Sequence, residues 1–182
     1  MRVTKKVFYM KIIFLSMQIH LNLLQTNLKT YFDLQLDIFS NLDFSQELYE
    51  KQIGSHFRHC IQMIEIFLEY YQKGNIINYT QRDRESKEAL KILLSKEYGI
   101  ERMNFLLNQL FILNLTQGEF DVKRDFGILK SNVEIELDFL ASHTMHHFGL
   151  IRIYLERECS KQELGFFGFA PETIDYLKNK EN

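Results

Sequence analysis

The chain has 182 residues, 46 % hydrophobic and 25 % charged, with a formal net charge of −2. Those values suit one globular domain with a sizeable core. The 22 basic residues are interspersed with 24 acidic ones and form no stripe, so no nucleic-acid surface is expected.

A single proline and long 3.6-residue periodicity argue against a sandwich or barrel. Cys60 and Cys159 are too few for a disulfide framework, and the expectation is two reduced thiols in a cytoplasmic protein.

The first residues, MRVTKKVFYMKIIFLSMQ, have a basic start and then an apolar run, as a signal peptide does. Lys11 interrupts the run, no small-residue cleavage motif follows, and the run is too short to span a bilayer. The expectation is that Met17 begins the folded chain, with residues 1–16 a disordered or upstream-translated extension of the domain over 17–182. No membrane association is expected.

A first helix is predicted over about 17–41, followed by a turn at Asn41–Phe44 and a short helical lead-in at Ser45–Glu50. The second helix runs from Ile53 to Lys73, where Gly74 and Asn75 stop it. A third helix is predicted from Arg84 to Asn114, with a kink or break at Gly99. Residues 116–130 alternate as Phe120-x-Val122 and carry two glycines, which suggests an extended segment or hairpin. The last long helix spans Ser131–Glu158, with Ser131 or Asn132 as its N-cap, and the tail packs back as a loop plus a short helical turn. The predicted fold is all-α: an up-down four-helix bundle with a short irregular or extended insertion before the last long helix.

Three of the six histidines fall in Ser142-His143-Thr144-Met145-His146-His147. Residues four apart share a helix face, so His143 and His147 present imidazoles from adjacent turns while His146 points elsewhere. Two converging nitrogens suit a divalent transition metal, and a bundle builds such sites from facing helices. The third donor is sought in His56-Phe57-Arg58-His59-Cys60. His59 is favoured, because His56 lies nearer the helix start and Cys60 reads as core. Three histidines leave a fourth position for water or substrate, the pattern of a catalytic ion. His20 is isolated and reads as surface or packing.

The segments IGSHFRHCIQMIEIF, ELDFLASHTMHHFGLIRIYLE and GFFGFAPETIDYL resemble the DinB-like family of metal-binding four-helix bundles, over about residues 18–177. In that family a divalent metal, often nickel or zinc, is held by one histidine of the second helix and two of the last. The resemblance places these on His59, His143 and His147. Some relatives transfer low-molecular-weight thiols or act as metal-dependent hydrolases.

The resulting expectation is a zinc, nickel or iron site in a thiol transferase or hydrolase acting on an unidentified small molecule. The alternative is a non-catalytic or stress-associated metal-binding bundle, which could be a homodimer. Glu136, two turns before His143, is either a partner or base at the site or an ion-pair group. Glu65 and Tyr154 are weaker candidates. The loop Tyr79–Arg84 could contact substrate, with Arg82 or Arg84 gripping an anion. No nucleophile elbow, phosphate loop or paired-cysteine zinc pattern is present, and Ser142 beside His143 is not a catalytic dyad.

Overall fold

In the computed structural model, which describes residues 2–74, 76–113, 115 and 118–180, the chain is mostly helical and carries one small three-stranded sheet. Asn75, Asn114, Thr116 and Gln117, which the sequence placed at helix ends and in the insertion, lie outside the described residues. The first helix, α1, runs unbroken from Arg2 to Asn41, well beyond the span expected from periodicity. Its side chains before residue 19 lie outside the description, and with them the packing of the expected extension. Beyond that point α1 turns Leu21, Tyr31, Phe32, Leu36 and Phe39 into the core and leaves His20 exposed.

A short helix α2 (Gln46–Leu48), capped by Ser45, passes through a π-helical turn at Tyr49–Ile53 into α3 (Gly54–Lys73). Gly74 ends α3 in the left-handed conformation, φ 65°, and its N–H closes on the Tyr70 carbonyl. A glycine is suited to this place because a Cβ disfavours positive φ.

The predicted third helix is two helices, and the break is not at Gly99. α4 (Lys87–Leu94) and α5 (Lys96–Ile112) meet at Ser95, whose hydroxyl caps α5 by accepting from the Tyr98 N–H. Ser86 caps α4 in the same way through Ala89 N–H. Gly99 sits inside α5 for a packing reason. A Cβ there would come within 2.8 Å of the Phe57 ring and 2.9 Å of the Tyr49 hydroxyl, so its absence lets α5 close on α3.

The expected extended insertion is a hairpin, β2 (Phe120–Arg124) and β3 (Gly127–Ser131), paired antiparallel from Phe120↔Ser131 to Arg124↔Gly127. A two-residue strand β1 (Ile77–Asn78) adds to β2 in parallel, Ile77 opposite Val122. The sheet thereby pins the connection after α3 against the segment before α6. Ile77 and Val122 are both fully buried.

The last long helix, α6 (Val133–Leu155), starts at Asn132, whose side chain accepts from the Ile135 N–H as expected of an N-cap. The tail is more helical than expected: α7 (Lys161–Leu164) carries a Ser160–Glu163 capping box, and α8 (Pro171–Lys180) opens on proline, which suits a first helical position. α3 packs against both α5 and α6, and α1 packs against the same two helices. The loop between α7 and α8 is clamped from two sides. Gln35 of α1 donates to the Phe166 carbonyl and accepts from Gly168 N–H, while Arg152 of α6 donates to the carbonyls of Gly165 and Phe167.

Four buried phenylalanines join these elements. Phe39 meets Phe57 at 5.2 Å and Phe167 at 5.3 Å between ring centroids, and Phe148 meets Phe167 at 5.4 Å and Phe57 at 6.2 Å. Among the described residues, no helix is long and apolar enough to cross a membrane.

Candidate metal centre

The candidate centre lies where α3 and α6 face each other. Nε2 of His59 and Nε2 of His143 are 2.8 Å apart, and Nδ1 of His56 is 2.8 Å from Nδ1 of His147. Residue numbers rise along one helix as they fall along the other, so the two helices run antiparallel and their histidines form two rungs. The sequence reasons for this are local. His56 and His59 share a face at i, i+3, and His143 and His147 share one at i, i+4. Each of His56 and His147 is followed by a phenylalanine, Phe57 or Phe148, that is fully buried in the aromatic cluster, which fixes the backbone carrying the imidazoles.

Within this ladder, the nitrogens of His59, His143 and His147 all lie within 4.8 Å of one another, close enough to hold one metal ion. Their rings surround a common point: each of the three pairs has its centroids 4.8 Å apart. All three side chains are half-buried. A tetrahedral ion with metal–nitrogen bonds of about 2.0–2.1 Å would hold two such nitrogens roughly 3.3 Å apart, so the His59–His143 contact need open by only about half an ångström. The donor set fits a borderline divalent ion.

The protonation states fit too, since a ligand imidazole must be neutral. Burial, with help from His143, Arg82, His56 and Arg58, lowers His59 to about 4. Burial and the neighbouring histidines take His147 to about 3. His143 is lowered as well, first by burial and then by His146, Arg82 and Arg124.

Other candidates are sorted by their contacts. His146 is exposed and its ring lies 5.3 Å from that of His147, on the outside of the cluster. Cys60 is fully buried beside Thr144, and burial pushes its thiol pKa up, so it remains a protonated core residue. Tyr154 contributes its ring, 5.8 Å from that of His56.

Glu65 is turned away to pair with Arg102 at 2.6 Å. Glu136, considered as a partner or base for the site, is fully buried and committed elsewhere. Its carboxylate accepts from Ser131 Oγ at 2.5 Å and pairs with Arg124 at 2.8 Å. It reaches the histidines only indirectly, since the Arg124 guanidinium lies 3.9 Å over the Phe139 ring, which in turn lies 5.5 Å from that of His143.

The loop after β1 approaches the same centre. Its folded shape is set by Asn78, which accepts from Thr80, and by Asp83, which accepts from the N–H groups of Glu85 and Ser86. Tyr79 is buried, whereas Arg82 is exposed and lies near enough to His59 and His143 to depress both. Arg82 also lines a cleft of ≈ 400 Å³ with Gln62, Glu65, Ile66, Glu69, Gln81 and Asp83. Sequence reasoning missed the second rung. Its available signal was the i, i+3 spacing of His56 and His59 opposite an i, i+4 pair.

Comparison with known proteins found no matching family model, no matching curated protein and no matching solved structure.

Proposed function

We propose that the chain is a metal-dependent transferase or hydrolase of DinB-like type, an up-down four-helix bundle of α1, α3, α5 and α6 holding one zinc, nickel or iron ion on His59, His143 and His147. One observation carries this: three neutral imidazoles from two facing helices bring their nitrogens within 4.8 Å of one another. The family assignment rests on the sequence resemblance and on this centre, since no family model matches.

A divalent ion in such a place lowers the pKa of a water or thiol so that it attacks at neutral pH. The protein's own part is to supply three uncharged donors, so that none of the ion's charge is cancelled. Arg82 adds positive charge at the same centre. A small anionic or thiol-bearing substrate accords with that field. Two free thiols, Cys60 and Cys159, accord with a cytoplasmic setting.

The test is metal content by mass spectrometry of the purified protein and of His59→Ala, His143→Ala and His147→Ala. It is followed by a screen of thiols with electrophiles and of hydrolysable esters and amides. Metal near one ion per chain, lost in each variant, with turnover that a chelator abolishes, is the expected result. Metal content unchanged in all three variants removes the centre, and turnover that survives chelation removes the mechanism.

A further inference from the structure

We propose that His56 orients His147: Nδ1 of His56 accepts a hydrogen bond from Nδ1–H of His147, leaving Nε2 of His147 as its bare, metal-binding nitrogen. This rests on the three-histidine centre proposed above, and it assigns a role to a residue which that centre does not itself require.

The two Nδ1 atoms are 2.8 Å apart, a hydrogen-bond length. A neutral imidazole has one N–H and one bare nitrogen, so a bond between two of them needs a donor on one side and an acceptor on the other. If His147 accepted here, its proton would be on Nε2 and neither nitrogen would remain for an ion. Only the donating tautomer lets His147 keep this hydrogen bond and bind an ion at the same time. The ligand role therefore dictates the tautomer, and His56 carries its own proton on Nε2.

A ligating imidazole usually passes its second N–H to a carboxylate, a carbonyl or water. Among the described residues, the only hydrogen-bond partner of the His147 ring is His56. Glu136, the carboxylate nearest in sequence phase, holds Arg124 and Ser131 through Oε1, and its buried Oε2 makes no hydrogen bond to the His147 ring. His56 does not join the group of nitrogens that converge within 4.8 Å. It is instead held in place for the neighbouring task, half-buried, with its ring 5.8 Å from that of Tyr154 and with Phe57 anchored in the core behind it. Substituting an uncharged imidazole for the usual carboxylate has a chemical consequence. It fixes the ligand without donating negative charge, which keeps a bound ion more electrophilic.

The experiment uses the full chain with ¹⁵N-labelled histidine and zinc as the probe. Long-range ¹H–¹⁵N correlation of the zinc-loaded protein should show His147 protonated on Nδ1 and His56 on Nε2. Competition titration should show zinc affinity falling about 10- to 100-fold in His56→Ala, the range for loss of a ligand's orienting partner. Affinity should be largely recovered in His56→Asn, whose amide oxygen can stand near the place of Nδ1.

Unchanged affinity in His56→Ala, an Asn variant as weak as the Ala variant, or His147 protonated on Nε2 would each overturn the assignment while leaving the three-histidine centre intact. No zinc bound by the unaltered protein overturns both. Should His56→Ala fail to fold, the spectrum of the unaltered protein decides.

Discussion

His59 and His143 are 84 positions apart in the chain, and their Nε2 atoms are 2.8 Å apart in space. No local peptide could hold that geometry, so the centre exists only when α3 and α6 are docked. An ion that binds the folded chain and not the unfolded one stabilises the former by about 2.7 kcal/mol at a hundredfold excess over its Kd. Zinc should therefore raise the melting temperature of the metal-stripped protein by several degrees. The shift should vanish in His59→Ala and His143→Ala while far-UV circular dichroism stays helical.

Metal-free protein should lose stability on mild acidification. In the folded chain His59 titrates at about 4 and His147 at about 3, against about 6.5 for an unfolded histidine. The unfolded state takes up protons that the folded state refuses, so stability is complete above about pH 6.5 and is lost as pH falls toward the folded values. Melts of the stripped protein at about pH 7.5, 6 and 5 should show this slope. The double variant His59→Gln, His147→Gln should flatten it.

Gly99→Ala should destabilise although alanine is the better helix former. The added methyl would meet the Phe57 ring at 2.8 Å and the Tyr49 hydroxyl at 2.9 Å, both fully or nearly fully buried. Overpacking of this kind costs roughly 1–3 kcal/mol, which outweighs the helix-propensity gain of about 1 kcal/mol. Urea denaturation followed by circular dichroism would measure it, and a midpoint at or above that of the unaltered protein would contradict the packing argument.

Glu136→Gln separates a structural carboxylate from a catalytic one. It leaves the Arg124 guanidinium without its anion in a largely buried setting, a loss of roughly 3 kcal/mol by analogy with other broken buried pairs. Zinc affinity should stay within about twofold, because Glu136 does not touch the histidines. A variant of full stability with abolished zinc binding would reverse this assignment.

Much of this architecture was legible from spacing alone. The i, i+4 pair on α6, the Gly74 stop of α3, the Asn132 cap and the extended insertion all follow from short-range stereochemistry, which is written in neighbouring residues. The misplaced break in the third helix had a local signal too. Ser86-Lys87-Glu88 and Ser95-Lys96-Glu97 repeat one helix-start pattern, a hydroxyl cap with an acid in the first turn. The unbroken apolar stripe across Ser95 concealed the second. What no window of sequence could contain is long-range register: β1 pairing in parallel with a strand more than forty residues later, and His56 meeting His147 rather than solvent.

The two rungs of the histidine ladder cannot be equivalent, and the helical screw is the reason. From His56 to His59 the chain climbs three residues, about 4.5 Å, while from His143 to His147 it climbs four, about 6.0 Å. The azimuth differs as well, by about 100°, since three residues fall short of a full turn and four overshoot it. One rung closes through Nε2 atoms and the other through Nδ1 atoms. A ladder so skewed brings three of its four imidazoles, those of His59, His143 and His147, to within 4.8 Å of one another and leaves His56 outside that group.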